Sequence, residues 1–192
     1  LMVKSTGNKK TRTAVFISGT GSNLKSLIKF SKTKKSPISI NLIISNKSKA
    51  KGLKLGNKIM KKVFNFKKKH KIENQILSVL KEHEIKMICL AGFMKILSKN
   101  FISKFRGKIL NIHPSLLPKY KGLNTHQRAL NNKEKYSGCT VHFVNSRIDS
   151  GRIILQKKVK ISKNETKDSL AKKVLVQEHK LYPKAILKIF NL

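Results

Sequence analysis

The sequence predicts an α/β fold: an open, mostly parallel twisted sheet with helices on both faces and an antiparallel C-terminal extension. Three observations carry that prediction. Short apolar runs at residues 13–17, 38–44 and 87–91 alternate with segments of helical periodicity, and such alternation builds a parallel sheet through right-handed crossovers. Residues 87–91 are apolar at every position, as a central strand covered on both faces must be. The link between the runs at 139–144 and 153–156 is too short for a crossover helix, so the later strand turns back antiparallel.

Composition narrows the function classes. The formal net charge is +36, from 44 Lys and Arg against 8 Asp and Glu, a balance that ordinarily points to nucleic acid or an anionic membrane. Its distribution points elsewhere. Arg supplies five of those cations, at Arg12, Arg106, Arg128, Arg147 and Arg152, whereas base reading and bidentate phosphate clamps favour Arg. The lysines occupy almost every polar face, so they read as a solvated surface. No specific nucleic acid is expected, and a Lys-rich nucleic-acid-binding protein stands as the alternative of a different class. Two cysteines, Cys89 and Cys139, are too few for a secreted disulfide framework, and no ligand set stands at zinc spacing. A cytoplasmic location and no metal are expected. Neither an apolar signal core nor a run of membrane-spanning length is present, so no membrane is expected as a partner. The length predicts one domain over 1–192, with residues 1–12 a flexible basic N-terminus.

Taken in order, the first strand begins near Thr13 and breaks at Ser18-Gly19-Thr20-Gly21-Ser22-Asn23. Leu24, Leu27 and Ile28 then recur at helical spacing. Strand, glycine loop and helix in that order aim backbone N–H groups and a helix N-terminus at whatever lies above the loop, which suits a phosphate. A dinucleotide fingerprint or a Walker loop would want glycine where Leu24 stands. A simpler cradle, with Ser22 and Asn23 adding donors, or a tight turn without ligand, demands neither. After the second strand, Leu53, Leu55 and Ile59 predict a short helix before an extended segment at residues 63–66. The next helix carries Ile72, Ile76, Leu77 and Leu80 on its buried stripe and Glu73, Glu82 and Glu84 at polar positions. Beyond the central strand, Gly92-Phe93-Met94-Lys95-Ile96-Leu97 leads to Ser98, a good N-cap. That apolar loop is either core packing or one wall of a pocket for a flat aromatic ligand.

Residues 108–110 form a further strand running into Asn111-Ile112-His113-Pro114, where prolines and Gly122 forbid a regular element. Asn111 and His113, two apart on an extended segment, share a face. One can donate to a developing oxyanion while the other shuttles a proton; alternatively they are a turn former and a packed strand-end histidine. A small helix follows around residues 125–130, then a strand at 139–144 in which His142 reads as structural. Asp149, one of two aspartates, lies in the loop between two strands. It either orients an imidazole or closes an Asx-turn. A closing helix from about Ser169 carries Leu170, Val174, Leu175 and Leu181, with Gln177-Glu178-His179 near its middle.

Five stretches, in this order and at these intervals, resemble the folate-dependent phosphoribosylglycinamide formyltransferase family: residues 17–24, 90–97, 111–118, 141–144 and 177–179. The resemblance spans nearly the whole chain and implies a Rossmann-like sheet. It also implies transfer of a formyl group from the co-substrate 10-formyltetrahydrofolate to the amine of glycinamide ribonucleotide, in purine synthesis, by a monomer or homodimer. On this resemblance Asn111, His113 and Asp149 are catalytic, with Asp149 raising the imidazole's pKa. Gly21, Ser22 and Asn23 hold the substrate phosphate and Glu178 the ribose. Met94, Lys95, Ile96 and Leu97, with Asn111, receive the folate. The related formyltetrahydrofolate deformylase shares the Asn, His and Asp pattern but adds an amino-terminal domain, and methionyl-tRNA formyltransferase adds a carboxyl-terminal one, so length favours the ribonucleotide enzyme. The segment at residues 67–70 is shorter than the family's equivalent, which contributes folate contacts, and the chain ends about a helix early.

Overall fold

A computed structural model describes residues 10–192. The strands are β1 (Thr11–Ile17), β2 (Ile38–Ser45), β3 (Met60–Val63), β4 (Met87–Leu90), β5 (Lys108–His113), β6 (Tyr136–Phe143) and β7 (Ile153–Lys160). Between and after them lie α1 (Ser22–Ser31), α2 (Lys69–Glu82), α3 (Lys99–Lys104), α4 (Thr125–Asn131) and α5 (Lys167–Ile189). The seven strands form one sheet in the order β3-β2-β1-β4-β5-β6-β7. Pairings from β3 through β5 are parallel, and β6 is antiparallel to both of its neighbours. The predicted mostly parallel sheet with an antiparallel extension is the observed one.

The inner strands β1, β2 and β4 carry largely apolar runs because both sheet faces are covered there. Val15, Ile17, Cys89 and Leu110 join the core beneath α1 and α5, while Ala14, Phe16, Ile88 and Leu90 join the one beneath α2 and α3. Each fully buried aliphatic or aromatic side chain there contributes roughly 1.5–3 kcal/mol. Tyr182 of α5 is wholly buried, and its hydroxyl donates to the carbonyls of Leu90 and Leu110 at 3.1 and 3.2 Å. α5 is thereby tied to the carboxyl ends of β4 and β5, beside Asn111. A Thr166–Ser169 capping box starts the helix two residues before the predicted Ser169, and it continues through Pro183.

Four local expectations are corrected. Thr11 and Arg12, expected in a flexible terminus, already belong to β1, where Arg12 Nε donates to the His83 carbonyl at 2.7 Å; residues 1–9 of that expectation lie outside the described residues. The helix predicted from Leu53 to Ile59 is a single 3-10 turn, Lys51–Lys54, and the extended segment predicted at 63–66 is β3, three residues earlier. Gly56 adopts φ +63, where a Cβ would meet Ile59 Cδ1 at 2.7 Å, so the chain turns sharply instead of continuing as a helix. Glu73, assigned to a polar face, is buried. Its carboxylate accepts from Ser98 N at 2.8 Å and Ser98 Oγ at 2.5 Å, while Ser98 caps α3 by accepting from Phe101 N at 3.0 Å.

The strand order reverses direction between β1 and β4, the point at which open α/β sheets form a crevice beyond their carboxyl ends. Ser18 knits its rim together. Its N–H donates to Gly92 O at 3.1 Å, its hydroxyl donates to Asn46 Oδ1 at 2.5 Å, and that hydroxyl accepts from Met94 N at 2.7 Å.

Candidate active site

The glycine loop is built around contact between two backbones. Gly21 has φ +77, and a Cβ on it would stand 2.6 Å from Gly52 Cα; Gly52 N in turn donates to Gly19 O at 3.0 Å. The loop therefore delivers the chain into α1 with the N–H groups of Ser22 and Asn23 free of intrahelical acceptors. Asn23, expected to donate to a phosphate, has its amide committed elsewhere: Nδ2 donates to Glu178 Oε2 at 2.7 Å. Glu178 is a buried acid on α5, brought to the loop from 155 residues away. Burial pushes its carboxyl above the usual carboxylate range, and the Asn23 bond opposes that shift in part.

Asn111, His113 and Asp149 are brought together at the end of β5. His113 is buried; its Nδ1 lies 3.4 Å from Asp149 Oδ2 and its Nε2 2.9 Å from the Tyr120 carbonyl. Asn111 Nδ2 faces Asp149 Oδ1 at 3.4 Å and His142 Nε2 at 3.2 Å. Asp149 sits at φ +46 in its turn, and Oδ2 accepts from the Gly122 N–H at 2.8 Å. Burial raises the carboxyl's pKa, but hydrogen bonding to His142 and Gly122 and the charges of the two histidines outweigh it, so Asp149 ends below its ordinary value.

The contribution expected of Asp149 is present at the imidazole, but it does not set the sign of the shift. Asp149 and the Tyr120 carbonyl do raise the pKa of His113, but burial acts more strongly and lowers it below the ordinary histidine value, helped by His142 and Arg128. The shift favours the neutral form of the ring.

His142, read as structural, joins this cluster directly. β5 and β6 pair so that His142 stands opposite Asn111. Its Nδ1 faces the Phe143 carbonyl at 2.8 Å and donates there, and its Nε2 faces the Asn111 amide at 3.2 Å. Its other neighbour is Asp149 Oδ1, at 3.6 Å. The alternation of residues 139–144 was visible in the sequence, but the register that brings His142 to Asn111 was not.

Met94, Lys95 and Ile96 are exposed and, with Phe66 and Lys69, line an open groove of about 270 Å³. Leu97 stands apart from them. Its side chain is buried in the core beneath α2 and α3, so only its backbone can face a ligand. Among the described residues no group of three or more His, Cys, Asp and Glu side chains could hold a metal ion, and no helix is long and apolar enough to cross a membrane. Cys89 and Cys139 are free thiols whose pKa burial pushes up to about 12.

Fold and cluster together define an α/β protein with a titratable polar site beside the carboxyl end of β5. The family model described as formyl transferase matches residues 11–186. Phosphoribosylglycinamide formyltransferase of Haemophilus influenzae is 43% identical over 178 residues, covering 90% of this chain and 84% of that protein. The human trifunctional purine biosynthetic protein adenosine-3 is 45% identical over 183 residues, or 93% of this chain, which spans 18% of that protein's length. The crystal structure of phosphoribosylglycinamide formyltransferase from Brucella melitensis superposes with a TM-score of 0.89 at 43% identity, covering 95% of this chain and 96% of that one. The chain belongs to the formyl transferase family.

Proposed function

We propose that the chain transfers the formyl group of 10-formyltetrahydrofolate to the amino group of glycinamide ribonucleotide, giving formylglycinamide ribonucleotide in purine biosynthesis. The observation that carries this reading is the cluster at the end of β5, in which one carboxylate, Asp149, faces both an amide donor and a buried imidazole. The amine nitrogen of the ribonucleotide attacks the formyl carbon, and the proton that the amine loses is taken up by the Asp149–His113 pair, coming to rest on the His113 nitrogen that faces the carboxylate. Asn111 Nδ2 steadies the oxyanion. The N–H it turns toward the oxyanion is the one facing Asp149, the longer of its two contacts at 3.4 Å. Collapse breaks the bond between carbon and the folate nitrogen, which leaves with the proton returned from the Asp149–His113 pair. Asp149 supports the imidazolium in between.

The same reading gives the surrounding residues their parts. The Gly21 turn and the N–H groups of Ser22 and Asn23 receive the phosphate, with the Ser22 hydroxyl as a further donor. Glu178 accepts ribose hydroxyls and is held for this by Asn23. An apolar groove flanked by Lys69 and Lys95 fits a flat ring system that carries carboxylates, so Met94, Lys95, Ile96 and the Leu97 backbone would line the folate. We further propose that residues 1–192 act as one formyltransferase domain in the cytoplasm, as a monomer or homodimer, with no specific nucleic acid as partner.

Absorbance of the released folate, followed with and without glycinamide ribonucleotide, tests the reaction. Release that requires the ribonucleotide is expected. Release of formate and folate without it would replace transfer by hydrolysis, as in a deformylase.

A further inference from the structure

Both ring nitrogens of His113 face oxygen acceptors: Nε2 the Tyr120 carbonyl and Nδ1 the Asp149 carboxylate. A neutral imidazole has one N–H and satisfies one of them, whereas an imidazolium satisfies both. The first acceptor is a backbone carbonyl, so its place depends on what fixes Tyr120. That residue sits at φ +56, a conformation a non-glycine residue keeps only where its surroundings impose it. Its phenol supplies the restraint. The hydroxyl donates to Glu134 Oε1 at 2.8 Å and accepts from Asn132 Nδ2 at 2.9 Å. Glu134 Oε1 also accepts from Lys119 Nζ at 2.7 Å, so one carboxylate grips adjacent residues of the turn. Arg128 lies over the ring at 5.2 Å and donates to Lys121 O at 2.7 Å. Two residues on, the Gly122 N–H holds Asp149, so the turn sets both acceptors that flank His113. Among the described residues Glu134 makes no hydrogen bond to Asn111, His113 or Asp149, and it reaches the cluster through Tyr120.

We propose that Glu134 is a positioning residue: through the Tyr120 phenol it seats the Tyr120 carbonyl on the His113 ring and so favours the imidazolium that transfer generates. The purpose of this device rests on the proposed role of His113 as proton carrier. Of the groups that face the ring, Asp149 from the β6–β7 loop favours the charged form, while His142 of β6 and Arg128 of α4 oppose it, and His126 of α4 stands near enough to feel the same charge. With one carboxylate set against those cations, a second acceptor that carries no charge of its own adds to the support the charged ring receives.

Titration of the imidazole C–H signals by NMR reads the effect without relying on turnover, with the His113 signal identified by its loss in His113→Gln. Glu134→Ala and Tyr120→Phe are expected to lower the proton affinity of His113 roughly three- to tenfold. Glu134→Gln, whose amide oxygen still accepts from the phenol but carries no charge, is expected to recover most of it. In formyl transfer, kcat should fall in the first two variants with KM for the ribonucleotide unchanged. Titration curves that superpose on wild type would overturn the proposal. So would a Glu134→Gln variant as impaired as Glu134→Ala, because the effect would then be charge acting at a distance. Should Glu134→Ala fail to fold by circular dichroism, Tyr120→Phe, which keeps the side-chain volume, decides. A displaced titration in a protein whose wild type transfers no formyl group would support the positioning while overturning the proposed activity.

Discussion

His113 sits where three influences meet: burial removes water from its charged form, Asp149 supplies a countercharge, and a carbonyl faces its far nitrogen. Burial wins in the resting protein, which leaves the ring able to accept a proton, and the two oxygens are placed to hold that proton once it arrives. Asp149→Asn removes the countercharge but keeps the shape. The imidazole of wild type should titrate below the ordinary value of about 6.5, and that of the variant lower still, with kcat reduced on the order of 10²-fold or more; NMR titration beside formyl-transfer kinetics checks both. Glu178 carries the opposite shift. Its folded carboxyl binds a proton more tightly than the unfolded one, so the stability it contributes is full below the unfolded pKa and is lost as pH rises through the raised folded value. Glu178→Gln keeps an acceptor for Asn23 and removes the charge. Its Tm should overtake that of wild type by a few degrees as pH rises from 5 to 8, while affinity for the ribonucleotide falls about tenfold or more. Thermal scans across that range and calorimetric titration of the ribonucleotide measure the two effects.

Among the elements, those buried on both faces declared themselves in the sequence, and those whose place depends on a distant partner did not. β1 and β4 were legible because their doubly covered stretches, residues 14–17 and 87–90, are apolar throughout. β3 was misplaced because Met60–Val63 is a short edge strand with both ends exposed, so it has no hydrophobic pattern to read. Glu73 looked like a surface acid because the Ser98 groups that satisfy it come from another loop, 25 residues on. The partnership of the glycine loop with the Lys51–Lys54 turn was equally hidden, since Gly52 resembles any loop glycine. It yields a prediction. A Cβ at residue 52 would meet Ile17 Cδ1 at 2.6 Å and Gly21 Cα at 3.0 Å, so Gly52→Ala must displace the loop that precedes α1. Destabilisation of about 1–3 kcal/mol is expected, together with weaker binding of glycinamide ribonucleotide; binding as tight as wild type in the folded variant would detach the loop from the phosphate.

Across the molecule, the chemistry-bearing residues come from widely separated stretches and share the carboxyl-end rim of one sheet. Asn111 and His113 were legible as a pair because two-residue spacing on a strand fixes a common face. Asp149 could be named because acids are scarce in this chain, and Glu178 because a family pattern marked it. His142 needed the β5–β6 register, a non-local fact that no single segment contains. The cationic surface was the most conspicuous feature of the composition, yet the cluster is assembled mainly from neutral and acidic groups in buried positions. The central claim is that this cluster moves a formyl group by proton transfer through His113. Its most direct test follows a ¹³C-labelled formyl group by NMR from 10-formyltetrahydrofolate to glycinamide ribonucleotide, in wild type and in a folded His113→Ala variant. The label should move to the ribonucleotide amine in wild type and roughly 10²–10⁴-fold more slowly in the variant. Transfer at the wild-type rate without the imidazole, or no transfer by wild type, would contradict the account.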